Sequence, residues 1–500
     1  MSLLGIDIGT TGAKAGAFST DGRCLAIAYR EYPTLQQRPG QAELDSRQVV
    51  QCLKDAIAEV ASHTGGDPVS ALCISAMGEA MTPVNADRKI IGNAILSVDL
   101  RGAEHVERLE AEMGQEAFYA INPNILAPNY SLPKLLWLRE HAPEEYNGAW
   151  KYLLWCDLVS YLFGGEPVTS YAHANRTLLF DLHREDWSEP LLTWSGIPRE
   201  KLPELAPSGA ITGTVSPAIA QELGLPEGVA IVLGGHDQCC NALGAGVITG
   251  GKAVCGIGTI ECIAPAYDHV PPAEDMLATR LNVEHHVLPG LYMSFIYNQS
   301  GVLLKWFRDT FAQADRQLLG AGEDIYNVLL AEMPADPTGL LALPHFEITG
   351  APDFISNSAG VLAGLHTHTP RGAILKGLIE GATYYFLDSL DALNRLQIDT
   401  SEFVATGGGA KSDALLQIKA DIFGAPFVRL QQTECGIAGA AMLAGIATGV
   451  YASPEEATAQ FVARERCFEP DMEKHARYRE IYGRYRRLYP ALRDLLAEMQ

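Results

Sequence analysis

The sequence predicts an α/β protein built as two related halves. Short β-rich runs alternate with helical segments along the whole chain. The tripeptide Ile8-Gly9-Thr10 returns as Ile257-Gly258-Thr259, and each copy sits at the turn of a strand–turn–strand unit that opens one half. At 500 residues the chain is also too long for one ordinary core, so two or more domains are expected. The repeat places the division near residue 245, giving halves 1–245 and 246–500.

The first half opens with apolar residues 3–8, a Gly9-Thr10-Thr11-Gly12 turn and a second apolar run over 13–18. Thr20-Asp21-Gly22-Arg23 then closes a hairpin before residues 24–29. Val49, Val50, Leu53, Ile57 and Val60 follow at helical spacing, which predicts a helix over 45–61. Residues 69–75 read as a buried strand.

The second start lies midway. Residues 228–233 read as a strand, followed by Gly234-Gly235-His236-Asp237-Gln238 and a small-residue helix over 239–246. Residues 252–263 give the second strand–turn–strand. A strand over 402–406 runs into Gly407-Gly408-Gly409 and a helix over 411–423 that includes Ser412. Glycines at 244, 246, 250 and 251 suit a hinge over 243–251. Tyr478, Tyr482, Tyr485 and Tyr489 share one face of a terminal helix docked on the core.

Composition excludes several classes. Sixty acidic residues against 37 Lys and Arg give a net charge of −23, which disfavours nucleic acid and anionic membranes as partners. No apolar stretch reaches the ~18–20 residues of a membrane span, and the N-terminus lacks the basic region of a secretory signal. The ten cysteines form no CxxC pair, which suits a reduced cytoplasm, and Cys239-Cys240 reads as packing. His285-His286 and His366-Thr367-His368 resemble short metal-binding runs but lack converging ligands, and are expected as exposed loop histidines.

The chemistry concentrates in the glycine turns. In Asp7-Ile8-Gly9-Thr10-Thr11-Gly12-Ala13-Lys14 a strand delivers a carboxylate, the turn exposes backbone N–H groups and hydroxyls, and Lys14 adds a charge. That set suits a phosphate, with Asp7 holding Mg²⁺ through water; a hairpin with a capping aspartate is the plainer alternative. Gly258-Thr259 supplies a second such turn, and Gly407-Gly408-Gly409 lets a flat ring or a phosphate approach a helix start. No GxxxxGK[ST] loop and no GxGxxG after the first strand is present, so P-loop and dinucleotide-binding readings fail. Asp237, at a helix start, is either an N-cap or a base at the seam of the halves.

With these segments in order, the chain resembles the FGGY family of carbohydrate kinases, within the actin-like/hexokinase-like ATPases. The resemblance runs over nearly the whole chain: residues 5–14, the run Lys134-Leu135-Leu136-Trp137-Leu138-Arg139-Glu140-His141, Gly235-His236-Asp237-Gln238, Gly258-Thr259, Ser300-Gly301 with Lys305-Trp306-Phe307-Arg308-Asp309, Gly360-Val361-Leu362-Ala363-Gly364-Leu365, Glu380-Gly381 and Gly407-Gly408-Gly409. Ala373, Gly377 and Asn129 depart mildly from the family's signatures.

The resemblance implies two actin-like, ribonuclease H-like domains with a cleft between them, ATP and Mg²⁺ as cofactors, and a small sugar or polyol as substrate. Asp237 would be the catalytic base. Asp7, Gly9, Thr10, Thr11, Lys14, Gly258, Thr259, Gly301, Lys305, Gly407, Gly408, Gly409 and Ser412 would bind nucleotide, with Asp7 on the metal. Met77, Gly78, Glu79, Asp99, Asn129, Asp237 and Gln238 would face the sugar, while Lys134 is expected to be structural.

Xylulose kinases commonly carry Gln-Met-His-Gly and glycerol kinases Gln-Arg-Glu where this chain has Met77-Gly78-Glu79, and Ser97 replaces a frequent tryptophan. Glu79 is a sugar contact or a solvent-facing strand end. The pattern is nearest the xylulose branch, with gluconate, ribulose, glycerol and other polyols as alternatives. Relatives in the family often form dimers, so a homodimer is among the implied partners. A non-sugar ATPase and an inactive sugar sensor are the remaining classes; the Lys134 run argues against the first, and retention of Asp7, Thr10 and Asp237 against the second.

Overall fold

The computed structural model describes residues 1–320 and 323–499. Its first half begins with β1 (Ser2–Ile8), β2 (Gly12–Ser19) and β3 (Cys24–Glu31), an antiparallel meander. Helix α1 (Ser46–Ser62), capped by the Asp45 carboxylate on the Arg47 and Gln48 N–H groups, crosses to β4 (Val69–Ala76). After a largely helical insertion, β5 (Ile211–Thr214) and β6 (Ala230–His236) complete a six-stranded sheet in the order β5-β6-β4-β1-β2-β3. Helix α2 (Asp237–Gly244) leaves the end of β6.

The second half repeats the plan. β7 (Lys252–Ile257) and β8 (Glu261–Tyr267) form the hairpin. β9 (Glu284–His285), β10 (Tyr292–Met293) and β11 (Ile296–Asn298) extend that side. Helices α3 (Ser300–Phe311) and α4 (Arg371–Arg395) precede β12 (Glu402–Thr406), helix α5 (Asp413–Phe423), β13 (Phe427–Leu430), helix α6 (Cys435–Ala447) and β14 (Arg464–Phe468). The path β9-β10-β8-β7-β12-β13-β14, with β11 on β8, makes eight strands.

In each sheet the hairpin's first strand pairs in parallel with a strand reached by a helical crossover, and that strand pairs in parallel with one more before an antiparallel edge. β1, β4 and β6 therefore correspond to β7, β12 and β13, and α2 corresponds to α6.

The two corresponding helices meet. α2 and α6 lie in one apolar cluster that also takes Leu3, Phe18, Cys73 and Val232 from the first sheet and Val254, Ala264, Val404 and Val428 from the second. Cys239 and Cys240 are fully buried there, as expected. The opposite face of the first sheet packs on α1 through Val49, Leu53, Ile57 and Val60. Between the halves Gly246 and Gly251 hold positive φ angles that suit glycine.

Two expectations need correction. Tyr478, Tyr482 and Tyr485 are buried on helix α7 (Met472–Tyr485), but Tyr489 belongs to a second helix, α8 (Leu488–Glu498), after a break. His366 and His368 are exposed as expected, whereas His285 and His286 are buried beside β9, because that short strand is wedged between the halves.

Candidate active site

Register explains why distant motifs converge. Asp7 pairs across to Ser75 on β4, and Gly235 and His236 on β6 face Ser75 and Ala76. Asp7, the run Met77-Gly78-Glu79 and Asp237 thus emerge from the same ends of three adjacent parallel strands, where open α/β sheets place their ligands. In the second half Gly256 faces Thr406, so Gly258-Thr259 and Gly407-Gly408-Gly409 leave matching strand ends.

Asp7 accepts a 2.8 Å bond from the Ser75 hydroxyl. Burial raises its carboxyl above the usual range, offset in part by Ser75 and Lys14. Gly9 closes the turn through its N–H to the Gly12 carbonyl at 3.0 Å, and its own carbonyl accepts from the Tyr32 hydroxyl. Thr10 and Thr11 are exposed. Lys14 reaches across to ion-pair with Glu434, just ahead of α6.

Asp237 is the first residue of α2, and the cap before it is His236, whose Nδ1 accepts from the Gln238 N–H at 3.3 Å. That bond makes the ring an acceptor at Nδ1, in keeping with burial holding His236 well below the usual imidazole range. Asp237 Oδ1 takes the same N–H at 2.6 Å, so the carboxylate is partly a helix-start acceptor while a third of its side chain stays open. Burial first, and the charge of Asp7 second, push its carboxyl up to about 7. Burial thus outweighs the single backbone bond that would hold the carboxyl lower. Burial, then the charge of Asp237, push the Cys262 thiol on β8 up to about 12.

A cavity of about 540 Å³ opens in the second half. Gly258, Thr259, Gly301, Lys305, Gly408, Gly409 and Ser412 line it, together with Tyr326, Asn327 and an apolar wall of Leu330, Leu375 and Ile379. A Cβ on Gly301 would stand 2.1 Å from the Gly258 carbonyl oxygen, so only glycine lets α3 start against that turn. Gly407 holds φ +81°, and Ser412 caps α5 by accepting from the Leu415 N–H. Apolar walls for a ring, glycine turns and a lysine fit a nucleotide. Among the described residues no group of three or more His, Cys, Asp or Glu is placed to hold a metal. A phosphate-bound Mg²⁺ needs only one or two protein carboxylates, and Asp7, at the strand end beside the 9–12 turn, fits that need.

Two domains are matched in order: the N-terminal domain of the FGGY family of carbohydrate kinases over residues 2–244 and its C-terminal domain over 253–448. The chain belongs to the FGGY family of carbohydrate kinases. A xylulose kinase of Bacillus subtilis (strain 168) is 29% identical over 497 residues, covering 99% of this chain and 97% of that protein. A glycerol kinase of Stenotrophomonas maltophilia is 30% identical over 499 residues, covering 96% of each. The crystal structure of a xylulose kinase from Rhodospirillum rubrum superposes with a TM-score of 0.89 at 26% identity, over 99% of this chain and 100% of that one. This FGGY kinase is thus a phosphotransferase with a sugar acceptor, in a family that uses ATP. Among the described residues no helix is long and apolar enough to cross a membrane.

The residues expected on the sugar side of this FGGY kinase fall in different surroundings. Met77 is buried, and its N–H bonds the Ile8 carbonyl. Glu79 is buried rather than solvent-facing, with φ +60°, and ion-pairs with Arg176. Asn129 lines a small cavity with Tyr130, Arg176 and Tyr297. Gln238, in the first turn of α2, is half-buried.

Asp99 corrects the expectation of a sugar contact. It is fully buried, and its carboxylate is consumed by the Ala42 N–H at 2.7 Å and by the backbone and guanidinium of Arg101. Lys134, as expected, is structural: it is buried and donates to the Asp99 and Arg101 carbonyls. Arg176, Glu284, Ser75 and Tyr32 were not foreseen.

Proposed function

We propose that this chain transfers the γ-phosphoryl group of ATP to a terminal hydroxyl of D-xylulose, giving D-xylulose 5-phosphate. The observation that carries the reading is Asp237, a carboxylate at a helix start beside the strand ends that carry Asp7 and Met77-Gly78-Glu79. In this role it accepts the hydroxyl proton as the sugar oxygen bonds to phosphorus and ADP leaves. Phosphoryl transfer asks little more of a protein than alignment, charge stabilisation and such a base.

The glycine turns at 9–12 and 258–259 hold the phosphates from opposite halves, and the cavity along α3 and α5 holds the base. Lys14 exchanges Glu434 for a phosphate oxygen. Mg²⁺ would be held by Asp7 through water and would supply positive charge to the phosphates. Residues 1–245 form the sugar half and 246–500 the nucleotide half. D-xylulose is favoured because several relatives named xylulose kinase, including the one from Bacillus subtilis, align over 99% of this chain. Gluconate, ribulose and glycerol are the alternatives. Ten free cysteines suit a cytoplasmic setting.

The test is ADP release with Mg²⁺ and ATP against D-xylulose, L-xylulose, ribulose, gluconate, glycerol and erythritol, with Asp237→Asn as the blank. Turnover on D-xylulose that the substitution lowers by roughly 10²–10⁴-fold supports the reading. Preference for another member moves the substrate, and ADP release indifferent to every sugar rejects the kinase role.

A further inference from the structure

The run Met77-Gly78-Glu79 carries no basic side chain, and Gly78 offers no side chain at all. The space is nevertheless taken. A Cβ on Gly78 would stand 3.0 Å from Arg176 Cγ and 2.9 Å from His236 Cδ2, the latter on the residue next to Asp237. Arg176 comes from a different element, the short turn Asn175–Thr177 in the helical insertion.

Its guanidinium is fixed on several sides. Nε donates to Glu79 Oε1 at 2.8 Å, Nη2 reaches the same oxygen, and Nη1 donates to Glu284 Oε1 at 2.7 Å. Glu284, itself buried, is held by the amides of Asn282 at 2.9 Å and Asn175 at 2.6 Å. The planar group lies 4.8 Å from the centre of the Tyr130 ring. Glu79 adopts left-handed backbone at φ +60° to present its carboxylate here, a conformation that persists only where surrounding contacts fix it. Of the five N–H bonds of an arginine, three are engaged in these contacts, which leaves two. Arg176 also lines a cavity of about 40 Å³, together with Asn129, Tyr130, Asn282 and Tyr297.

We propose that Arg176 is the specificity-determining residue of the sugar pocket: it stands where a basic side chain at position 78 would, and donates to a hydroxyl or carbonyl oxygen of an uncharged sugar. The inference rests on the sugar kinase reading above. Two carboxylates around one guanidinium leave the cluster net negative, so a sugar carboxylate at this point would face Glu79 and Glu284 as well. Arg280, the other cation on the cavity, is exposed at its rim.

Two variants, Arg176→Lys and the double variant Arg176→Ser/Gly78→His, are compared with the wild type by ADP release over the same panel, with melting temperature and the KM for ATP as controls. Lysine keeps the charge between Glu79 and Glu284 but loses the fork. It should raise the sugar KM roughly tenfold to a hundredfold, while the KM for ATP and the melting temperature stay near wild type. The double variant moves the basic group to position 78 and should reorder the panel's substrates. A sugar KM unchanged in Arg176→Lys, or one that moves only together with melting temperature and the KM for ATP, makes Arg176 a structural brace and overturns the inference. So does a wild-type preference for gluconate over every uncharged sugar. If the wild type turns over no sugar at all, the kinase reading itself falls, and this inference with it.

Discussion

Gly244 and Gly439 face each other where α2 crosses α6: a Cβ built on either would stand 2.7 Å from the other's amide nitrogen. Each would also sit 1.9 Å from a carbonyl oxygen, of Cys435 and Cys240 respectively. One helix belongs to each half, so the halves touch backbone to backbone at this point. The obstruction is main chain, which cannot rotate away as a side chain could. Gly244→Ala and Gly439→Ala are each expected to cost about 3 kcal/mol or more by overpacking, and any folded fraction should lose turnover because the halves are displaced. Gly483→Ala is the control, since that exposed glycine of α7 has nothing within 4 Å of its added Cβ. It should gain up to about 1 kcal/mol from helix propensity. Thermal melting of the three proteins checks the contrast; equal melting temperatures would disprove the close crossing.

Asp237 ties activity to pH in a definite direction. Its carboxyl is pushed up to about 7 and must be ionised to take a proton. The rate with sugar should therefore rise from pH 6 to pH 8 when nucleotide is limiting, and the limb should move to lower pH when Mg²⁺-nucleotide saturates and offsets Asp7. A flat profile over that range counts against Asp237 as base. Stability runs the other way. A carboxyl raised in the folded state contributes stability below its unfolded value near 3.8 that is lost as pH rises through about 7. Asp237→Asn should thus melt higher than wild type at pH 8, and by less at pH 5.

Glycine turns were legible because their backbone demands are local: Gly9, Gly258 and Gly407 each mark a strand end whatever the rest of the chain does. The duplicated sheet followed from the same logic, one tripeptide at two equivalent hairpins. What escaped was long-range pairing. Arg176 lies in a short turn without periodicity, and its partners Glu79 and Glu284 are 97 and 108 residues away. Asp99 was the right residue type in a suggestive place, but Arg101 and the Ala42 N–H absorb its charge. His285 and His286 look like a polar loop in sequence, and only the packing of the halves buries them.

Glu261 and Lys419 form an ion pair in which each side chain is 3% exposed, and both line the cavity along α3 and α5. Neither carried a sequence signal. Lys419 also lies near the Phe386 ring and the Thr383 hydroxyl. Removing one partner strands a buried charge, so Lys419→Met should destabilise the second half by about 3–5 kcal/mol. Lys419→Met/Glu261→Gln, which removes both charges, should recover most of that loss. Denaturant unfolding of the single and double variants decides it, and equal stabilities would show that the pair is not desolvated.

Buried histidines set an acid limit on the fold. His173, His285, His286 and His345 are all buried, and burial lowers each to about 4 from an ordinary value of 6.5. A base depressed in the folded state contributes stability that is present above its unfolded value and lost as pH falls from 6.5 toward 4. Each group then costs about 1.4 kcal/mol per pH unit within that window. Besides burial, His286 has a bond at stake: its Nδ1 accepts the Leu288 N–H at 2.9 Å, and protonation removes that bond. His286→Asn offers an amide oxygen to the same N–H and does not titrate. Its absolute stability should fall from the lost ring, yet melting temperature should decline less steeply between pH 6.5 and 4.5 than in the wild type. Parallel slopes for the two proteins would mean that His286 is protonated in the fold and carries no part of the acid sensitivity.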